Sequence, residues 1–144
     1  MHNKFISVVI LLKSEYLENV NPFLIKVHKI LKNNFSHFEI ILVNNCVHPD
    51  IRELTNELSQ KVKKDITVIN LSIKINEDNA IIAGFDKTNG DYTIVLDLNF
   101  PDNSDHIINL FELSQNNYDI VYLKYKNRYL PKSKIIFYKL FYYL

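Results

Sequence analysis

Two oxygen-bearing side chains, Asp97 and Asn99, directly follow an apolar stretch, Tyr92–Leu96. Side chains two residues apart on an extended chain point to the same side, so a carboxylate and an amide oxygen there can share one hard cation such as Mg²⁺ or Mn²⁺. An asparagine oxygen brings no charge, and we therefore expect weaker binding than between two aspartates. The alternative is structural, with Asp97 and the nearby Asp102 capping a loop.

A second polar pair, Asn44-Asn45, follows the apolar stretch Phe38–Val43. Two amide groups can donate hydrogen bonds to a ligand and accept them from it, although they lack the charge that strengthens such bonds to a carboxylate. The structural alternative is a plain turn from a strand into a loop.

Several common catalytic and binding motifs are absent. The chain has two glycines, which excludes a glycine-rich dinucleotide fingerprint and a phosphate-binding P-loop. No Gly-x-Ser-x-Gly sequence occurs, and the five histidines lack zinc-ligand spacing, so we expect them at the surface.

The composition is that of one ordinary domain. A chain of 144 residues with 47% hydrophobic content can bury a core without disulfides, and it has one cysteine. No apolar run approaches the roughly eighteen residues needed to cross a bilayer, and we expect a reducing, cytoplasmic setting. The net charge of +1 is uneven, because residues 124–144 hold six basic residues and no acidic ones, which leaves −5 for residues 1–123.

Runs rich in β-branched residues alternate with stretches in which apolar residues repeat at helical spacing. Strands are predicted over Phe5–Leu12, Phe38–Val43, Ile66–Leu71, Tyr92–Leu96 and Ile120–Leu123. Helices are predicted behind a cap at Asn21-Pro22 and over Asp50–Val62, Glu77–Lys87 and Ser104–Leu113. This alternation implies an α/β fold of three layers, in which a mainly parallel sheet with a central first strand binds ligands at the carboxyl ends of its strands.

The order of several segments carries a family pattern. Residues 8–15 match a strand that ends in Tyr-Asn-Glu, of which this chain keeps Glu15, and residues 39–46 match a strand that ends in two aspartates, replaced here by Asn44 and Asn45. Residues 79–91 match a helix and turn with the pattern Ala-Ala-Ile-Leu-Ala-Gly-Leu-Asp and then Thr-Gly-Asp. Residues 92–102 match a strand and an Asp-x-Asp metal motif with Asn99 at its second position, and residues 117–122 match the next strand.

In this order the chain resembles the family 2 glycosyltransferases, in particular the amino-terminal half of polyprenyl- and dolichyl-phosphate sugar synthases. The resemblance implies a Rossmann-like GT-A nucleotide-sugar-binding half over residues 1–131. Its site residues would be Leu11, Glu15, Asn44, Asn45 and Lys74 for the nucleotide, with Asp97, Asn99 and Asp102 for weakly bound Mg²⁺ or Mn²⁺. In the family such a cation offsets the charge of the leaving diphosphate.

The resemblance also implies partners and a reaction. The donor would be a UDP- or GDP-linked sugar and the acceptor a lipid phosphate, with inversion at the sugar and a catalytic base in an acceptor half beyond Leu144. No nucleic-acid partner is expected. The alternative is a catalytically silent GT-A-like module that associates with a protein or a membrane surface, because three motif positions depart from the pattern together.

Residues 132–144 combine lysines with aromatic and aliphatic residues. Such a segment is typical of an amphipathic helix at an anionic membrane surface, here the inner face of the membrane. Two alternatives stay open: packing on further sequence, and self-association through the aromatic cluster Phe137, Tyr138, Phe141, Tyr142 and Tyr143.

Overall fold

The computed structural model describes residues 1–48, 51–99, 101–116 and 118–123. The predicted domain boundary at residue 131 and the predicted helix over residues 132–144 lie outside these ranges. The elements in chain order are β1 (His2–Leu11), α1 (Val20–Asn34), β2 (Phe35–Asn44), α2 (Ile51–Leu54), α3 (Gln60–Lys63), β3 (Ile66–Asn70), α4 (Glu77–Phe85), β4 (Tyr92–Leu96) and α5 (Ile107–Ser114). Two 3₁₀ segments, Ser14–Asn19 and Pro101–His106, precede α1 and α5.

The four described strands form one parallel sheet in the order β3-β2-β1-β4. The first strand pairs with β2 on one side and β4 on the other, as its continuous apolar run predicts for an interior strand. The predicted α/β class and the parallel sheet flanked by helices are therefore confirmed.

Alternate residues of the strands face two helical layers. One face, which includes Ile10, Leu42 and Leu96, packs with α1 and α5 in the larger core cluster. The other face carries Val9 and Val43 and packs against α4, where a Cβ on Gly84 would lie 2.5 Å from a methyl group of Val9. Glycine at position 84 thus allows α4 to approach the sheet closely.

The helix predicted over Asp50–Val62 is wrong in its continuity, because two short helices, α2 and α3, form instead. The hydroxyl of Thr55 donates to the carbonyl of Ile51 at 2.8 Å, and the following turns close by bonds between residues three apart. Bonds between residues three apart form tighter turns than an α-helix, so the α-helical hydrogen bonding ends there. The apolar residues that repeat at helical spacing in this stretch nevertheless face the core, since Ile51, Leu58 and Val62 are buried.

The predicted strand over Ile120–Leu123 is also wrong, since within residues 118–123 the structure has no strand. The side chains of Tyr118, Ile120 and Tyr122 are exposed. The burial that would stabilise a further strand is missing there.

The beginning of the first helix differs from its prediction. Helix α1 starts at Val20, so Asn21 lies inside it, and the Asn21 amide donates to the carbonyl of Leu54 at 2.9 Å rather than capping the helix. Its position before Pro22 mimics a cap, although its actual role is to tie α1 to α2.

One histidine departs from the surface expectation. His28 is buried on α1, and its Nε2 lies 2.9 Å from Oδ2 of Asp65. Its ring also contacts Phe38 edge-on. The partner lies on a distant segment, so the sequence spacing of the histidines gave no sign of this pair.

The turn between α4 and β4 is held against the sheet by polar contacts. The hydroxyl of Ser7 accepts a hydrogen bond from the backbone of Gly90 at 2.9 Å and donates to Glu39 at 2.6 Å, while Asp91 accepts from the backbone of Phe5 at 3.0 Å. A Cβ at position 90 would lie 2.7 Å from the Ser7 backbone nitrogen. The Asn-Gly-Asp turn therefore fixes the start of β4.

Among the helices in the described ranges, none has the length and apolar character required to cross a bilayer.

Candidate functional site

Polar side chains collect where the parallel strands end. Lys13 follows β1, Asn44 ends β2, Asp97 follows β4, and α4 begins at Glu77. Because carboxyl ends of parallel strands meet at one edge of a sheet, these residues share the edge where open α/β sheets bind ligands. The strand pattern predicts that Asn44 and Asp97 lie at strand ends, and the structure places them there. Ligand binding at this edge stays a prediction.

Lys13 is the cation at the centre of this edge. Its Nζ lies 3.0 Å from Oε2 of Glu77 and 3.7 Å from Oδ2 of Asp97. The Lys13 side chain is 16% exposed, whereas those of Asp97 and Glu77 are 38% and 62% exposed. Burial by itself would lower the pKa of Lys13, but the Glu77 and Asp97 carboxylates outweigh it, so that the pKa is raised and the ammonium stays charged.

Lys13 lies within the matched residues 8–15, and the sequence pattern predicts no role for it. A lysine directly after a buried apolar strand, at a position where the family pattern has tyrosine, is the signal that could have identified it. Its partner Glu77 begins a helix far along the chain, and no spacing rule connects the two residues.

Asp97 and Asn99 form a compact unit. Oδ1 of Asp97 accepts from the backbone nitrogen of Asn99 at 2.9 Å, and Oδ2 accepts from the Asn99 amide nitrogen at 3.3 Å. The buried Leu98 between them anchors the loop. The two side chains are thus brought together as predicted, with the amide directing N–H groups at the carboxylate.

The arrangement fits a divalent cation poorly. Asp97 meets two N–H donors and an ammonium, and Asn99 presents nitrogen rather than oxygen toward it. Among the residues that the structure describes, no three histidine, cysteine, aspartate or glutamate side chains are grouped as metal ligands. The side chain of Asp102 lies outside the described part, within the segment Pro101–His106. Binding of Mg²⁺ or Mn²⁺ stays a prediction.

Asn44 is buried, and all of its hydrogen-bonding capacity is used within the protein. Its amide nitrogen donates to the carbonyl of His48 at 2.7 Å and to the side-chain oxygen of Asn70 at 2.9 Å. Its oxygen accepts from the backbone nitrogens of Val47 and His48 at 2.9 and 3.2 Å. Two donors and two acceptor sites are all that an amide offers, so Asn44 positions the loop after β2.

Asn45 joins this loop to the loop before α4. Its amide nitrogen donates to the carbonyl of Ile75 at 2.7 Å, and its oxygen accepts from the Ile75 backbone nitrogen at 2.9 Å. The next residue, Cys46, has a φ of 57°, the left-handed region that favours glycine. The predicted nucleotide contacts of Asn44 and Asn45 stay predictions, and the structure adds a role in shaping the edge.

The remaining predicted residues occupy two environments. Leu11 is buried at the end of β1, in the cluster on the α4 face. Glu15 and Lys74 are exposed, Glu15 in the 3₁₀ segment after β1 and Lys74 in the loop before α4. A hydrogen bond with its own backbone lowers the pKa of Glu15, the Ser14 hydroxyl adds to this, and the charges of Lys13 and Lys74 contribute further.

Comparison with known proteins identifies the family. The family model described as Glycosyl transferase family 2 matches residues 7–140, which is most of the chain. This chain belongs to glycosyl transferase family 2. The match begins within β1 and includes β2 to β4 and the polar edge.

Three similar proteins share one name. The chain is 27% identical over 125 residues to an undecaprenyl-phosphate 4-deoxy-4-formamido-L-arabinose transferase of Pseudomonas savastanoi, with 87% of this chain and 37% of that protein covered. A protein of the same name from Photorhabdus laumondii is 28% identical over 125 residues, with 87% and 38% covered. The chain therefore spans well under half the length of these relatives.

A third similar protein, of the same name, from Pectobacterium atrosepticum is 32% identical over 84 residues, which cover 58% of this chain and 26% of that protein. The similarity thus extends across several organisms at modest identity.

Proposed function

We propose that this chain is the donor-binding part of a glycosyltransferase that moves a sugar from a UDP- or GDP-linked donor to a lipid phosphate. The observation that carries the proposal is the family match over residues 7–140 together with a charged edge at the carboxyl ends of the parallel strands. The relatives are named for transfer to undecaprenyl phosphate, which supports a polyprenyl phosphate as the acceptor class.

In this reaction an acceptor phosphate oxygen forms a bond to the anomeric carbon, and the bond from that carbon to the donor diphosphate breaks. The nucleoside diphosphate leaves with the electron pair of that bond. The part of this chain is to hold the diphosphate and to orient the sugar toward the acceptor. The exposed Lys74 and the partly exposed Lys13 supply positive charge at this edge, and the loops fixed by Asn44 and Asn45 form its wall.

The direct test is calorimetric titration of the chain with UDP-, GDP- and dTDP-sugars, with and without Mn²⁺. We expect binding of at least one of them, and a weakening of about threefold to tenfold in Lys74→Met, because a charged contact to phosphate is lost. Lys87→Met is the matched control, since Lys87 is exposed just beyond the far end of α4. Failure of every sugar nucleotide to bind would refute the proposal.

A second candidate, a silent module that associates with a membrane or a protein, is favoured by one observation. The family pattern has a second carboxylate at position 99. In this chain the Asn99 amide nitrogen instead donates a hydrogen bond to the Asp97 carboxylate. Under this candidate no sugar nucleotide binds in the titration, so the same experiment separates the two functions.

Membrane association at the cytoplasmic face is part of both candidates and rests on the sequence of residues 132–144. We expect co-sedimentation with vesicles that contain anionic lipid, weakened by salt and lost when residues 133–144 are deleted. Unchanged co-sedimentation after the deletion would contradict this role. A dimer that dissociates on the same deletion would instead support self-association.

A further inference from the structure

We propose that the ammonium of Lys13 replaces the divalent cation at this site, and that the donor diphosphate binds by displacing Glu77 from Lys13. The inference rests on the proposed function and names how the diphosphate is held. The resulting binding of nucleoside diphosphates is independent of metal.

The geometry distinguishes the two carboxylates that flank Lys13. Asp97 is fixed, because its two oxygens accept from the backbone and the amide of Asn99 at 2.9 and 3.3 Å. Glu77 is 62% exposed at the first residue of α4. Asp97, whose Oδ2 lies 3.7 Å from Nζ, therefore stays beside the ammonium, while Glu77 can turn into solvent and leave one side of the ammonium for a phosphate oxygen.

The charges balance without a metal ion. Two carboxylates and a divalent cation sum to zero, and so do the single carboxylate of Asp97 and the ammonium of Lys13. An aspartate at position 99 would add a negative charge beside Asp97, whereas the Asn99 side chain is neutral and donates a hydrogen bond to Asp97 at 3.3 Å. An uncharged amide at position 99 and an ammonium at position 13 thus keep the charge at this edge balanced without a metal ion.

The contact between Lys13 and Glu77 shows which kind of ligand atom the ammonium binds. Oε2 of Glu77 lies 3.0 Å from Nζ, which is the distance of a charge-assisted hydrogen bond to an anionic oxygen. A diphosphate oxygen has the same charge and hydrogen-bonding character, so Glu77 acts as an internal competitor for the ligand.

The test is calorimetric titration of the whole chain with UDP and GDP, in EDTA and in Mg²⁺ or Mn²⁺. We expect dissociation constants in EDTA within about threefold of those with metal. In EDTA, Lys13→Met should weaken binding by about tenfold or more, and Lys13→Arg should retain most of it because the charge remains. Lys87→Met, which removes a lysine near the far end of α4, should leave the affinity unchanged.

A second variant keeps the inference testable if Lys13→Met fails to fold. Glu77→Gln removes the competitor, and we expect it to tighten UDP or GDP binding about threefold to tenfold in EDTA. Asp86→Asn removes one negative charge at the other end of the same helix and controls for net charge. A Glu77→Gln affinity no tighter than that of Asp86→Asn would overturn the inference.

The outcomes separate the two proposals. Binding that EDTA abolishes and Mn²⁺ restores, with no effect of Lys13→Met, overturns the lysine assignment and leaves the proposed function intact. Absence of binding to any nucleotide under every condition overturns the proposed function, and the lysine assignment falls with it.

Discussion

At the scale of single residues, Asn44 is the clearest case of a side chain whose type is fixed by its surroundings. Each N–H and each acceptor site of its amide has a partner inside the protein. An aspartate, which the family pattern has here, would place a carboxylate oxygen against the carbonyl of His48 and the side-chain oxygen of Asn70. The loop after β2 has therefore adapted to an amide.

Asn44→Asp tests this assignment. We expect the free energy of unfolding to fall by about 2–3 kcal/mol, because two buried donors are lost and two acceptors face a negative charge. Urea denaturation at neutral pH measures the change, with the exposed Asn56→Asp as the matched control. An Asn44→Asp variant as stable as its control would show that the amide bonds contribute little.

Cys46 gives a second prediction at this scale, because its φ of 57° is unfavourable for branched side chains. Cys46→Val should lower the free energy of unfolding by about 1–2 kcal/mol relative to Cys46→Gly, which adopts this backbone conformation without strain. Thermal unfolding of both variants under reducing conditions is the measurement. Equal stabilities would contradict a left-handed backbone at this position.

At the scale of elements, the buried strands were predictable because their runs of apolar residues differ in composition from the flanking sequence. β4 matches its predicted bounds, and β1 to β3 differ from theirs by a few residues. The helix over residues 50–62 was mispredicted in its continuity because the backbone after Thr55 closes turns by bonds between residues three apart, which apolar periodicity does not report. Periodicity predicted which side chains are buried, but not whether the helix continues.

The candidate site was predictable in part for the same reason. The end of β4 places Asp97 and Asn99 at the carboxyl edge of the sheet, and the strand pattern marks that end. The pairing of Lys13 with Glu77 depends on how α4 packs across β1 and β2, which is a tertiary property. Likewise, the Asn44 side chain can use all of its hydrogen-bonding groups only when the folded chain brings His48 and Asn70 next to it.

The turn before β4 provides the prediction for this scale. Gly90→Ala should lower the free energy of unfolding by about 2 kcal/mol or more, because its Cβ would overlap the backbone of Phe5 and Ser7. Gly84→Ala should cost less, since it meets valine methyl groups and gains helix propensity. Chemical denaturation of both variants checks the order, and a Gly90→Ala variant more stable than Gly84→Ala would contradict this packing.

At the scale of the whole molecule, the two ends of the parallel strands carry different sets of polar contacts. The amino-terminal side of β1 and β4 is joined by the bonds among Ser7, Glu39 and Gly90, which hold the fold together. The carboxyl edge holds Lys13, Glu77 and Asp97, which have side chains that reach solvent. We therefore propose the carboxyl edge, rather than the amino-terminal side, as the donor site.

The most direct test of that account is to locate nucleotide binding by NMR, with ¹⁵N-labelled chain titrated with UDP and GDP. We predict that the amide signals of Lys13, Glu77 and Asn99 shift with ligand concentration while those of Ser7 and Gly90 do not. Shifts confined to Ser7 and Gly90, or no shift at any ligand concentration, would contradict a donor site at the carboxyl edge.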